Sequence, residues 1–202
     1  MKPVTIGDRI SAVDHEDQTT TIIIMPKRVM WKEALLTLWL AGFSFVGITL
    51  IYILATGVQQ LNSRPDMTAE DYDNQIIYLI VFLGFWAYFQ FRTTRAWLWY
   101  RFGRELIKID ETSLSIKRSI LGYGKAKRYF FENIKKFSLI KEDKFNFGNF
   151  FENSFWAMGT DILSFDYFNK VITFARRVDL KEARSLQRLI DDRVKKAIRR
   201  RK

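Results

Sequence analysis

The chain has 202 residues, with 33 Lys and Arg against 22 Asp and Glu for a formal net charge of +11, and it is 48% apolar. With no cysteine and one histidine, His15, it excludes disulfides, thiolate zinc sites, cysteine-ligated iron–sulfur clusters, a cysteine nucleophile and a histidine-only metal cage. The mean hydropathy of −0.12 is that of an ordinary soluble protein, but it conceals a division: the first 91 residues carry six basic and nine acidic side chains, net −3, and the remainder 27 and 13, net +14.

Residues 1–33 hold Asp8, Asp14, Glu16 and Asp17 and only a short apolar stretch from Thr21 to Met25. They carry no cleavable-signal pattern and read as a polar, flexible segment before the first long apolar run. Asp14-His15-Glu16-Asp17 in that segment reads as polar linker in preference to a metal site.

From Ala34 to Val58 there are 25 consecutive uncharged residues, about 37 Å of helix, enough to cross a hydrocarbon core of about 30 Å. An acidic loop over 59–73 follows, in which Arg64 stands beside Asp66, Glu70, Asp71 and Asp73. A second uncharged run, Asn74 to Phe91, has 18 residues, roughly 27 Å. Arg92 and Arg95 can snorkel, which extends this span, and the predicted helix continues over 74–100. Trp31 before the first run, and Trp97, Trp99 and Tyr100 after the second, fall where an interfacial aromatic belt lies; Trp39 and Trp86 sit deeper and read as packing residues.

Lys27, Arg28 and Lys32 precede the first run, and Arg92, Arg95, Arg101 and Arg104 follow the second. The positive-inside rule then predicts a two-pass protein of a bacterial cytoplasmic (inner) membrane, both termini cytoplasmic and the acidic loop outside. Neither run contains Asp, Glu, Lys, Arg or His, which argues against a transport path, and Gly42, Gly47 and Gly57 form no GxxxG pair.

After Gly103 the period changes to two. Strands are predicted from Leu106 to Ile109, across Leu114 and Ile116, and through Arg128 to Phe131 after a turn at Leu121–Lys125. Phe131-Glu132-Asn133-Ile134 breaks the alternation; a strand from Lys135 to Ile140 and a hairpin of Ile162–Tyr167 with Val171–Ala175, joined at Phe168-Asn169-Lys170, follow. Asp179 with Glu182 resembles a capping box, and Leu180, Ala183, Leu186, Ile190, Val194 and Ala197 form one apolar helical stripe, with a basic tail over 199–202.

Several strands closed by one amphipathic helix after a two-span hairpin resemble the bacterial pleckstrin-homology-like domain of small membrane proteins. The residues carrying the likeness run from Arg104 to Leu139, including the Glu132-Asn133-Ile134 junction, and from Ile162 to Ile190. The expected fold class is α+β: a transmembrane hairpin followed by a small cytoplasmic β-sheet or half-barrel domain, over 104–198, closed by its C-terminal helix. The resemblance implies a non-enzymatic protein and, by analogy with inositol-phosphate-binding members, makes Lys117, Arg118, Lys125, Lys127 and Arg128 the candidate anion ligands around the first hairpin.

A generically basic surface beside an anionic leaflet is the plainer account of the same residues, since each nearby Lys or Arg contributes about 1 kcal/mol there. The expected partners are therefore anionic lipids and other membrane proteins. Phe145, Phe147, Phe150, Phe151, Phe155 and Trp156 form a candidate partner interface or a share of the core. They contain no interleaved Lys or Arg, so a nucleic-acid stacking groove is disfavoured. Gly122-Tyr123-Gly124-Lys125 lacks phosphate-loop spacing, and no GxSxG elbow occurs. No cofactor or metal is expected. Docking on anionic headgroups or partner proteins is the leading reading, with an accessory or assembly subunit of a membrane complex, or a membrane-surface enzyme, as alternatives.

Overall fold

Period-two alternation of β-branched residues sets the strands. The computed structural model describes residues 3–61, 68–140 and 159–201. They divide into two units: Met1–Val29 with Leu98–Lys202, and Met30–Trp97.

The first unit is a β domain. Strands β1 (Val4–Ile6), β2 (Ile10–Asp14), β3 (Thr20–Ile24), β4 (Gly103–Ile109), β5 (Ser113–Ile120) and β6 (Ala126–Phe130) form one antiparallel sheet in chain order. β7 (Ser138–Leu139), β8 (Asp161–Tyr167) and β9 (Lys170–Arg176) form a second, three-stranded one. Helix α3 (Leu180–Arg201), numbered after two long helices α1 (Met30–Leu61) and α2 (Ala69–Phe102), ends the described chain.

The N-terminal segment is not the flexible stretch expected of it. Ile10, Ala12, Ile22 and Ile24 alternate with Ser11, Val13, Thr21 and Ile23, and the first set is buried. β3 pairs with β4 from Thr20↔Ile109 to Ile24↔Glu105. The domain expected over 104–198 is therefore completed by three strands that precede the apolar helices.

The core lies between the sheets and α3. Ile107, Ile109, Leu114, Ile116 and Tyr129 from one sheet meet Leu163, Phe165 and Phe174 from the other. Tyr129 and Phe137 each stand edge-on to Phe165, with centroids 5.2 and 5.4 Å apart. α3 buries Ala183, Leu186, Ile190 and Val194 as its stripe requires, while Leu180 stays exposed. Gln187 Nε2 donates to the Phe137 carbonyl at 2.8 Å, tying the helix to the segment before β7.

One predicted strand and one predicted turn are shortened. The 3₁₀ turn Phe131–Asn133 displaces the start of β7, which pairs only at Ser138↔Ser164 and Leu139↔Leu163. In the β8–β9 hairpin Tyr167 pairs with Lys170, so the turn is Phe168-Asn169 alone, both at positive φ (48° and 61°) as a type I′ turn demands.

The second unit is the antiparallel pair α1 and α2. Both helices are long and apolar enough to cross a membrane, and only 6% of either apolar window is buried. Leu38, Phe45, Ile48, Tyr52, Tyr78, Phe85 and Phe91 point outward. The helices meet where Gly47 faces Trp86, whose indole N–H donates to the Phe43 carbonyl at 2.9 Å. Gln90 Nε2 donates to Ser44 Oγ at 2.7 Å, and Trp97 Nε1 to Thr37 Oγ1 at 2.8 Å.

Candidate functional site

Strand parity sorts the cations of the β domain. With Ile107, Ile109, Leu114 and Ile116 facing the core, the pleat turns Arg104, Lys108, Lys117 and Arg128 to the opposite face of the six-stranded sheet. No Asp or Glu belongs to that face in β3, β4, β5 or β6. Asp110, in the turn after β4, reaches Lys108 at 3.5 Å.

Arg118 has the parity of Leu114 and Ile116, and it faces inward. Its Nε donates to Glu105 Oε1 at 3.1 Å, and its Nη2 to Asp161 Oδ2 at 2.7 Å and to the Thr173 carbonyl at 2.9 Å. Arg176 adds Nε to Asp161 Oδ1 at 2.9 Å and its backbone N–H to Glu105 Oε2 at 3.1 Å. The network joins β4 and β5 of one sheet to β8 and β9 of the other.

Ala175 and Arg177, both at positive φ (61° and 53°), flank Arg176. That backbone costs about 1 kcal/mol or more per non-glycine residue and presents the N–H of Arg176 to the buried carboxylate.

Burial pushes the Glu105 carboxyl above its ordinary range, against the pull of Arg118. Burial also opposes ionisation of Asp161, but Arg118 and Arg176 outweigh it and hold that carboxyl below its ordinary value. The two carboxylates raise the Arg118 guanidinium despite its own burial. Arg118, half-buried, is thus held by Glu105 and Asp161 on the face opposite Lys117.

The remaining predicted ligands do not converge. Lys117 and Arg128 share the outer face, whereas Lys127 sits opposite Ile116 with the other parity and Lys125 lies in the turn. Lys125, Lys127 and Arg128 are exposed.

Lys117 instead belongs to a recess of about 380 Å³ that reaches the β5–β6 turn at Leu121 and Gly122. Ile23, Met25, Pro26, Phe102, Leu106 and Leu121 supply its apolar lining, and Arg28, Arg101, Arg104 and Lys117 its cations; no Asp or Glu lines it. Across the sheet Leu106 lies between Ile23 and Lys117. Arg104, two residues along β4, is diagonal to Lys117 on the same face. The Arg28 guanidinium donates to the Arg101 carbonyl.

A larger recess, about 510 Å³, opens at the β2–β3 turn beside α3. In it Arg193 pairs with Asp14 at 2.6 Å, and Arg200 donates to Gln18 Oε1 at 3.1 Å. His15 Nε2 lies 3.0 Å from Thr21 Oγ1. Among the described residues, no group of three or more His, Asp or Glu is placed to hold a metal ion.

The expected interfacial anchors separate into two kinds. Trp31 is exposed, and Arg92 lies over the Tyr88 ring at 5.8 Å while donating to its hydroxyl at 3.2 Å. Arg95 is exposed and Trp97 half-buried. Trp99 and Tyr100 are instead buried in the β domain, where the guanidinium groups of Arg176 and Arg177 stand over their rings at 5.8 and 4.4 Å. The aromatics Phe145, Phe147, Phe150, Phe151, Phe155 and Trp156 lie outside the described residues.

Residue pattern alone does not single out Glu105, Asp161 and Arg176. A lone carboxylate at an inward position of an alternating apolar strand, as Glu105 is before Ile107 and Ile109, is the signal that marks a buried partner. Comparison with protein families, with curated proteins and with solved structures finds no match.

Proposed function

We propose that the chain is a two-pass, non-catalytic membrane protein of the bacterial inner membrane, whose β domain, pleckstrin-homology-like in type, lies on the cytoplasmic side and docks on anionic headgroups and partner membrane proteins. The observation that carries this reading is the β3–β4 register, five residue pairs from Thr20↔Ile109 to Ile24↔Glu105. Hydrogen-bonded strands occupy one compartment, and these two flank both apolar helices, so any crossings between them are even in number.

The flanking cations Lys27, Arg28, Lys32, Arg92, Arg95, Arg101 and Arg104 support the cytoplasmic side. The outward-facing Arg104, Lys108, Lys117 and Arg128, on a face without strand carboxylates, support attraction to an anionic leaflet. Two antiparallel sheets followed by a C-terminal helix support the pleckstrin-homology-like assignment.

The absence of cysteine makes single-cysteine mapping clean. A membrane-impermeant thiol reagent should label Thr68→Cys in intact spheroplasts, and Glu111→Cys only after permeabilisation; labelling of both from outside overturns the topology. Docking is read from the full chain in nanodiscs, with a fluorophore on Ser115→Cys. Anionic discs should shield it from an aqueous quencher more than neutral discs do, reversibly with salt. Equal quenching in both overturns the lipid part.

A further inference from the structure

The recess lined by Ile23, Met25, Arg28, Phe102, Arg104 and Lys117 combines features that a generic basic surface lacks. Its volume, about 380 Å³, falls within the range of small-molecule sites. Its apolar lining is continuous across β3 and β4, through Ile23 and Leu106, and cations border it with no carboxylate among them. Arg104 and Lys117 make no ion pair among the described residues, in contrast to Arg118 one position along.

The chain supplies the location. Met25, Pro26 and Arg28 come immediately before α1, and Phe102 is the last residue of α2. If α1 and α2 span a bilayer, as in the reading above on which this inference rests, these residues stand within a few covalent bonds of its surface.

We propose that this recess binds the headgroup of an anionic phospholipid, with the phosphodiester between Arg104 and Lys117 and the glycerol and upper acyl segment over Ile23, Leu106 and Met25. An ammonium or guanidinium beside a phosphate gives charge-assisted hydrogen bonds. The apolar lining selects an amphiphile over a free anion, because only an amphiphile covers it.

The test uses the full chain in neutral detergent, titrated separately with dioctanoyl phosphatidylglycerol, dioctanoyl phosphatidylcholine, glycerol 3-phosphate and inorganic phosphate, with binding read by native mass measurement. Phosphatidylglycerol should bind saturably. Arg104→Gln and Lys117→Gln, which keep much of each stem and remove the charge, should each weaken it about fivefold, and together about 25-fold. The charge-preserving pair Arg104→Lys with Lys117→Arg should retain most of the binding, and Lys125→Gln with Lys127→Gln should leave it unchanged.

Equal affinity for phosphatidylcholine, or an unaffected double variant, overturns the site. Inorganic phosphate or glycerol phosphate binding as tightly as the lipid assigns a free-anion site and overturns the lipid assignment. If the Lys125/Lys127 pair weakens binding as much as the recess pair, the recess fails, while anionic-leaflet docking by the whole face survives. Loss of the two-pass topology in cysteine mapping removes the parent reading whatever the recess binds.

Discussion

The two units use the same apolar side chains in opposite directions. In the β domain Ile107, Leu114, Phe165 and Phe174 are enclosed, and the surface of β4–β6 is polar and basic. In the helical pair Leu38, Phe45, Ile48 and Phe85 face outward, while polar atoms make some of the cross-helix links: an indole on a carbonyl, an amide on a hydroxyl. A solvent that rewards burial of hydrocarbon explains the first arrangement and leaves the second unexplained; in a hydrocarbon solvent the second is the favoured one. Composition averages the two regions into a bland hydropathy, so the inversion is visible only once exposure is assigned residue by residue.

The largest test of that contrast truncates one phenylalanine in each region. Phe165→Ala removes a fully buried ring that meets Tyr129, Phe137 and Phe174, and it should cost the β domain about 3–5 kcal/mol. Phe85→Ala, on an outward position, should cost about 1 kcal/mol or less in detergent or bilayer, since its ring moves between two apolar surroundings. Amide hydrogen exchange resolved by unit measures both; equal losses would erase the distinction between the regions.

Next in size is the ion network that fastens the sheets. Removing one partner of a buried pair typically costs about 3–5 kcal/mol; with the Arg118 side chain 34% exposed, Arg118→Ala should cost less, about 2–3 kcal/mol near neutral pH. Its pH dependence has a definite sign. Without Arg118 the Glu105 carboxyl, already raised by burial, rises further. A group with a raised folded pKa stabilises below its unfolded value and loses that contribution as pH climbs through the folded one, so the variant's deficit should shrink on acidification. In the parent chain Asp161 is lowered from 3.8 and contributes the opposite slope: its stabilisation is present above that value and is lost as pH falls through the folded pKa. Thermal melting of parent and variant from neutral pH down to below 3.8 compares the two directions, and parallel curves would remove the network from the account.

Within the helical pair the matching interior contact is Gly47. A Cβ built there would lie 1.8 Å from the Trp86 ring, so Gly47→Ala must displace either the indole or the helix. It should cost about 1–3 kcal/mol of helix pairing, whereas Gly42→Ala, with nothing within 4 Å of its Cβ, should be silent. Disulfide crosslinking between single cysteines placed on each helix reports the pairing. A silent Gly47→Ala would mean that the helices do not rely on this close approach.

Legibility followed the range of the interactions. β4, β5, the β8–β9 hairpin and α3 are local: their periods and turns are contiguous, and one buried face dictates each. β1–β3 carry the same alternation but find their partner, β4, only after both long helices, and nothing near Ile22 announces Ile107. The basic cluster around the first hairpin is blurred for a different reason. Proximity to a turn grouped Lys117 with Arg118, whereas strand parity separates them, one facing outward and one toward Glu105. Trp99 and Tyr100 follow an apolar run as belt residues do, and the guanidinium groups that stand over their rings, Arg176 and Arg177, lie far along the sequence.

The smallest effects concern helix ends, and here the regions can be compared on one motif. At the start of α2 the box is reciprocal: the Asp71 N–H donates to Thr68 Oγ1 at 3.2 Å, the Thr68 N–H to Asp71 Oδ2 at 3.4 Å, and the Thr68 hydroxyl to the same oxygen at 2.6 Å. At α3 the Asp179 N–H donates to Glu182 Oε2 at 3.3 Å, but the Asp179 carboxylate is turned to Lys27 at 3.1 Å and Arg9 at 3.5 Å. Thr68→Ala therefore deletes a cap acceptor and should cost about 1 kcal/mol of local stability. Asp179→Ala deletes only the charge contacts of a carboxylate that is 56% exposed and should cost about 0.5 kcal/mol, falling further in salt. Glu182→Gln separates the roles at α3: it can keep the bond to the Asp179 N–H but discharges the partner of Arg9, whose guanidinium donates to Glu182 and, at 3.1 Å, to the Arg177 carbonyl. Exchange of the first-turn amides of each helix ranks the three, and an Asp179→Ala loss as large as that of Thr68→Ala would show that its carboxylate caps the helix in solution.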